Sequence, residues 1–396
     1  MAEQKKNRYL SGKEVRAIAK ANAKTMMALE KRKHRKADES EFVTEMKDPN
    51  NILEIEDLHT YFFTDQGIVK AVNGVSFDVP KNATVGIVGE SGCGKSVTSM
   101  SIMQLLQAPQ GQIYSGHIRF QSHEYKLDPK GKPLADEMED KVLDIANMPI
   151  SEIHRVRGRQ IAMIFQEPMT SLNPVFTIGN QLDEVTLTHV PGATKQMAKD
   201  KSLEMLSLVG IADPNHVYEC FPHELSGGMR QRVMIAMALA CNPRLIIADE
   251  PTTALDVTIQ AQILELLRDV KQKMDGSILL ITHDLGIIAE MADYVVVMYA
   301  GRVIERGTVQ EIFHDPRHPY TIGLQKSKPT LNTKEETLFN IPGNVPNPIN
   351  MPSFCFFRER CGQACDKCKG DYPQFYQVSP THFVACHLYG QEEHNG

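Results

Sequence analysis

An α/β fold, with a largely parallel sheet and helices on both of its faces, is what three features of this 396-residue sequence predict. RLIIAD (residues 244–249), ILLIT (278–282) and YVVVMY (294–299) are β-branched apolar runs of strand length. Helical segments separate them, and such alternation builds a parallel sheet with helical cover. A fourth apolar run, VGIVG (85–89), leads directly into glycine-rich GESGCGKS (89–96) and then into a helical stretch, SVTSMSIMQLL.

The chain opens on a basic arm. Residues 1–36 carry 12 Lys or Arg against three acidic residues, a net of +9, while the remainder carries 31 against 46, a net of −15. Val15, Ile18, Asn22, Met26 and Leu29 fall at near-helical spacing, so residues 1–50 are expected to be helical or partly disordered. Clustered Lys and Arg at 1–36 would suit an anionic membrane surface. Asp48-Pro49-Asn50-Asn51 reads as a boundary. From Ile52, ILEIEDL and GIVKAVNGVSFDV read as strands, with Val75, Phe77 and Val79 alternating as in a half-buried antiparallel sheet. Residues 121–150 are polar and loosely patterned, and are expected to be an insertion. Residues 195–240 read as mostly helical. After Asp315 the chain turns rich in Pro, Asn and Cys and loses periodicity, which predicts a small irregular extension over 316–396. Five of the eight cysteines lie in it, between Cys355 and Cys386. No stretch approaches the roughly 18 apolar residues of a membrane span, and no apolar run follows the basic N-terminus as in a secretory signal.

GESGCGKS matches G-x4-G-K-[ST] in its required strand–loop–helix setting. Gly89, Glu90, Ser91, Gly92, Cys93, Gly94, Lys95, Ser96 and Val97 are therefore candidate contacts to a nucleoside triphosphate. The glycines let successive amides turn inward around a phosphate, and the helix start adds positive potential. Lys95 would reach the β- and γ-phosphates and the Ser96 hydroxyl would join Mg²⁺. Asp249 ends a second apolar strand and would hold the same Mg²⁺ through water. Glu250 follows as candidate general base for the attacking water. His283, after another buried strand, is a candidate γ-phosphate contact, and Gln166 in IFQEP a candidate sensor of Mg²⁺ or water. LSGGMRQR (225–232) opens a second helix with free amides and a hydroxyl at Ser226, Gly227 and Gly228. One phosphate loop needs one cradle, so this second helix start is expected to face a nucleotide held by another subunit.

GESGCGKS, Gln166, LSGGMRQR, LIIADE, Ala254-Leu255-Asp256 and His283, in that order, resemble an ABC-transporter ATPase subunit over roughly residues 52–315. The resemblance implies a P-loop ABC cassette at 51–315: a RecA-like parallel core, an antiparallel β subdomain and an α-helical subdomain near 167–240. It implies ATP and Mg²⁺ as cofactors and a second ATPase chain, as a heterodimer. Ser226, Gly227, Gly228 and Gln231 would meet that partner's nucleotide, and Asp256 would lie at the seam. An aromatic stacks on adenine in this family; Phe62 fits best, with Tyr61 the alternative.

IFQEPMTSLNP (164–174), DPRHPYTIGL (315–324), IPGNVPNP and CFFRERC narrow the resemblance to ATPase subunits of oligopeptide and dipeptide importers. Relatives in this class move nickel or serve phosphonate metabolism. The narrower resemblance implies ATP hydrolysis that energises peptide uptake from the cytoplasmic face of a membrane. Two membrane-spanning permease subunits and, indirectly, an extracellular substrate-binding protein would be the partners. No nucleic-acid partner is expected, since the chain carries neither a second cassette nor a long coiled coil. Cys355, Cys361, Cys368 and Cys386 resemble the pattern that ligates a [4Fe–4S] cluster in some of these ATPases. Residue chemistry alone leaves zinc open, through Cys361, Cys365, Cys368 and Cys386 with His382 or His387, and leaves free thiols open as well.

Overall fold

The computed structural model describes residues 10–127, 133–166, 171–253, 255–327, 340–349 and 351–390. Ala254 and the expected start of the helical subdomain at 167–170 lie outside them. In chain order the first elements are α1 (Gly12–Lys33), β1 (Val43–Thr44), β2 (Asn51–Phe63), β3 (Ile68–Pro80), β4 (Thr84–Val88) and α2 (Lys95–Ile102). Next come β5 (Gly111–Leu127), β6 (Pro133–Asp144), β7 (Ile161–Ile164), α3 (Ile178–His189), α4 (Lys195–Leu208), α5 (Pro214–Glu219) and α6 (Gly227–Leu239). The second half holds β8 (Leu245–Asp249), α7 (Val257–Met274), β9 (Ser277–Ile281), α8 (Leu285–Met291), β10 (Tyr294–Tyr299) and β11 (Arg302–Thr308). Two helices, α9 (Val309–His314) and α10 (Pro319–Lys326), precede the short strands β12 (Tyr376–Gln377) and β13 (Phe383–Val384).

Two sheets organise these elements. One is antiparallel, in the order β1-β6-β5-β2-β3. The other runs β12-β13-β11-β10-β4-β9-β8-β7, parallel from β10 through β7. Its central strands β4, β8 and β9 are buried at every position because both faces are covered, and they are apolar apart from Thr84, Asp249 and Ser277 at their ends. Val85 and Ile87 of β4, with Leu279 and Ile281 of β9, pack toward Phe77 and Ile118 of the antiparallel sheet. Ile278 and Leu280 of β9 pack instead with Leu264 and Leu267 of α7 and Ile288 of α8. Helices α3 to α6 close a further lobe over Leu182, Met205, Leu206 and Val233. No helix among the described residues is long and apolar enough to cross a membrane.

Four features go beyond those expectations. Within the stretch expected as an insertion, β5 and β6 pair antiparallel, with Glu124 opposite Glu139 and Phe120 opposite Leu143. The stretch reads as polar because its buried side itself carries polar side chains, Ser122 and Glu124, the latter paired with Arg155. The strand bearing Asp249 is not adjacent to the strand that feeds the phosphate loop, since β9 lies between them. The basic arm is docked rather than frayed. Ser11 and Glu14 form a capping box at the start of α1. Buried Asn22 donates to the Thr64 carbonyl at 2.7 Å and Arg32 to the Ile113 carbonyl at 3.2 Å. Finally, the C-terminal extension continues the central sheet. β13 pairs with β11, and Arg302 and Arg306 of β11 lie 4.0 and 4.7 Å from the ring centres of Tyr372 and Phe383. Ile341, Phe356 and Phe357 enter the main core.

Candidate functional site: a phosphate loop faced by carboxylates

The loop between β4 and α2 takes its shape from its glycines. Gly94 has φ +102°, and a Cβ there would lie 2.4 Å from the Ala71 carbonyl oxygen, so only glycine fits. Lys95 is buried and reaches back across the loop, donating to the carbonyls of Gly89 at 2.8 Å and Glu90 at 3.1 Å. Ser91 and Gly92 form the exposed tip, while Cys93 is buried, its thiol pushed up by burial. Val97 follows on α2, half-buried.

The first turns of α2 face the end of β8. Ser96 donates to Asp249 Oδ1 at 3.1 Å, and Ser99 to Oδ2 at 3.3 Å. Burial raises the Asp249 carboxyl above its ordinary value; the two hydroxyls oppose that rise and the charge of Glu250 adds to it. A buried carboxylate beside a second one, ringed by hydroxyls, is an all-oxygen donor set of the kind that takes Mg²⁺ together with substrate phosphates.

Glu250 turns the chain sharply, with φ +47°, and its amide donates to the Ile281 carbonyl of β9 at 2.8 Å. Its Oε2 accepts from Gln166 Nε2 and from the Thr253 hydroxyl, each at 3.0 Å, and its Oε1 lies 3.2 Å from His283 Nδ1. Because β9 runs between β4 and β8, the residues after β9 emerge between the phosphate loop and the carboxylates. Ser96, Gln166, Asp249, Glu250 and His283 thus meet at one end of the sheet, with the His283 side chain 64% exposed. Sequence reading missed Ser99 and Thr253; the only trace of Ser99 was its position one turn beyond Ser96.

The LSGGMRQR helix start is separate. Ser226 caps α6, accepting from the Met229 amide at 3.3 Å, and a Cβ on Gly227 would meet nothing within 4 Å. Gly228 approaches Ile259 of α7, whose own cap is Asp256, accepting from the Ile259 amide at 3.0 Å. The adjoining Val257 is 82% exposed. Gln231 departs from expectation: it is buried and donates to the Pro251 carbonyl at 2.6 Å, turned into its own chain. Of the two candidate aromatics, Tyr61 is engaged, stacked on Tyr114 at 5.0 Å with its hydroxyl donating to Asn73. Phe62 is half-buried with its ring edge against Gly111.

The cysteine lobe does not assemble as a ligand set. Among the described residues no group of three or more His, Cys, Asp or Glu is placed to hold a metal ion. Burial pushes Cys355 up to about 11 and Cys386 up to about 12, as suits protonated thiols. Cys365 lies 3.6 Å from Cys368, sulfur to sulfur. Both histidines of the zinc alternative are committed elsewhere, His382 Nε2 to Glu305 at 2.8 Å and His387 Nε2 to the Asp371 carbonyl at 3.0 Å.

Comparison with known proteins bears on both halves of the chain. A family profile described as ABC transporter matches residues 72–253, and one described as Oligopeptide/dipeptide transporter, C-terminal region, matches 304–368. The oligopeptide transport ATP-binding protein OppD of Bacillus subtilis is 50% identical over 334 residues, 84% of this chain and 87% of that protein. AppD of the same organism, also an oligopeptide transport ATP-binding protein, is 47% identical over 343 residues, 87% of this chain and 98% of the relative.

This chain belongs to the ABC-transporter ATPases of the oligopeptide and dipeptide transport family.

Solved structures agree on the cassette fold. The dimeric bacterial ABC transporter cassette MJ0796 superimposes with a TM-score of 0.53 at 24% identity, covering 65% of this ATPase and 98% of that chain. The ABC subunit cbiO1 of Clostridium perfringens gives 0.52 at 26% identity, covering 67% and 92%.

Proposed function

We propose that this ABC ATPase energises import of oligopeptides or dipeptides, with residues 51–315 as its ATPase domain. The observation that carries the catalytic part is Glu250, held by Gln166, Thr253 and His283 beside the Asp249–Ser96 pair. In this reading the amides of 89–96 and Lys95 bind the phosphates, and Ser96, Asp249 and Gln166 hold the Mg²⁺ that neutralises charge on them. Glu250 accepts the proton of the attacking water, and His283 steadies the γ-phosphate. Positioning and charge neutralisation supply most of the rate in such phosphoryl transfers.

The open helix start at Ser226–Gly227 and the exposed Val257 beside Asp256 support a second ATPase chain closing over the nucleotide. That closure would drive two permease subunits, with the ATPase peripheral on the cytoplasmic face and an extracellular binding protein delivering substrate. The half-buried Phe62, free of the contacts that engage Tyr61, would take the adenine. The family likeness and the names of the relatives support peptide as the cargo. Reconstituting the chain with its permease subunits in proteoliposomes tests this: ATP-dependent uptake of labelled di- to pentapeptides is expected, and nickel uptake without peptide uptake would overturn it.

For the extension, we infer that Cys355, Cys361, Cys368 and Cys386 take a [4Fe–4S] cluster. Thiolates at Cys355, Cys361 and Cys368 would each push Cys386 up further, so the four donors are close enough to interact and of suitable chemistry, although they do not stand at ligand geometry. Iron and sulfide analysis of protein purified without oxygen, beside Cys361→Ser, tests it. Stoichiometric zinc without iron would sink the cluster.

A further inference from the structure

DPRHPYTIGL and CFFRERC mark the family but carry none of the residues assigned to the ATP site. The structure brings a residue from each onto Glu90, the second residue of the phosphate loop. Arg360 of CFFRERC is buried and grips the Glu90 carboxylate with both arms of its guanidinium, Nη1 to Oε2 at 2.7 Å and Nη2 to Oε1 at 3.0 Å. Tyr320 of DPRHPYTIGL is fully buried, and its hydroxyl accepts the Glu90 amide at 2.8 Å. Lys95 occupies the third side, on the Glu90 carbonyl.

Arg360 is itself aimed. Its Nε donates to the Pro342 carbonyl at 2.9 Å, Nη2 to the Ile341 carbonyl at 3.4 Å and Nη1 to the Tyr299 hydroxyl at 3.3 Å. Its backbone closes a tight turn between Cys355 and Cys361, with Arg358 N donating to Cys355 O and Cys361 N to Arg358 O. The Tyr299, Tyr320 and Phe357 rings pack together beneath it, with centroids 4.8 to 5.5 Å apart.

A free carboxylate at the rim of an anion cradle would repel a triphosphate, because Coulomb repulsion at such range is poorly screened in a partly buried site. A planar fork neutralises that charge and fixes its direction, which a flexible ammonium does not do. We propose that the C-terminal region clamps the phosphate loop in cis, with Arg360 as a positioning residue that neutralises Glu90 and holds its carboxylate off the phosphates. This rests on the reading of residues 89–96 as the ATP site. It makes the C-terminal region a determinant of ATP affinity and not a tether alone.

Full-length wild type, Arg360→Gln, Tyr320→Phe and the double variant Arg360→Gln/Glu90→Gln would be titrated with trinitrophenyl-ATP, followed by KM and kcat for ATP. Arg360→Gln should weaken binding and raise KM about tenfold, with a smaller change in kcat. Tyr320→Phe keeps the ring packing and should weaken binding about threefold. The double variant should recover most of the affinity lost in Arg360→Gln, since the uncompensated charge is gone. A purely structural anchor predicts a lower Tm and no recovery in the double variant, and that result overturns the proposal. Unchanged affinity in Tyr320→Phe overturns it also, even should Arg360→Gln fail to fold. Wild type that binds no nucleotide would remove the ATP reading itself.

Discussion

Glu250 occupies left-handed backbone, φ +47°, without being glycine, asparagine or aspartate. Such a residue persists only where its surroundings impose it, at a cost of order 1 kcal/mol or more, and these positions gather at functional sites. Here the Ile281 carbonyl and the Gln166, Thr253 and His283 side chains impose it. Glu250→Gln keeps the shape and removes the base. ATP binding should persist while turnover falls by about 10²–10⁴, and unchanged hydrolysis would remove Glu250 from that role. Ser99→Ala deletes one of two hydrogen bonds to the ionised Asp249. Losing that bond raises the carboxyl further, so the acid limb of the ATPase profile should move to higher pH. The Mg²⁺ needed for half-maximal rate should rise a few-fold. Activity against pH and Mg²⁺ for both forms checks this.

At the level of elements, α10 depends on its cap. His318 Nδ1 accepts the Tyr320 amide at 3.0 Å, which requires a neutral ring, and burial lowers His318 to about 4. The unfolded ring titrates near 6.5, so between 6.5 and about 4 the unfolded chain binds the extra proton. Stability therefore falls as pH falls through that window, by roughly 2 kcal/mol from pH 6.5 to 5. Melting curves at pH 7 and 5 should show the loss in wild type and a smaller one in His318→Asn, whose side chain can still cap. Equal losses would assign the acid sensitivity elsewhere. Elements also show where sequence reading stops. The parallel strands were legible because strands buried on both faces form nearly continuous apolar runs. β12 and β13 are two residues each and hold no period to read. The pairing of β5 with β6 was hidden because buried Ser122 and Glu124 break the apolar alternation.

Across the molecule, docking of α1 turns a count of charges into a surface. Asn22 is buried, with Val15, Ile18, Met26 and Leu29 half-buried, while Lys13, Arg16, Lys20, Lys24 and Lys31 are exposed at intervals of three, four and seven residues. Changing Lys13, Arg16, Lys20 and Lys24 to Glu should abolish sedimentation with anionic vesicles, at about 1 kcal/mol per charge, and leave Tm unchanged. Unaltered sedimentation would detach the stripe from the membrane. By itself the sequence determined the parallel core, the phosphate loop and the carboxylates facing it. Each is a local pattern in which neighbours along the chain share one task. Tertiary structure alone decided which residues touch across distance. It placed β9 between the two nucleotide strands, turned Gln231 inward and set Arg360 on Glu90, 270 residues away. Nothing local encodes such a pairing, because the charge on Glu90 meets its partner only after the C-terminal region has packed against the sheet.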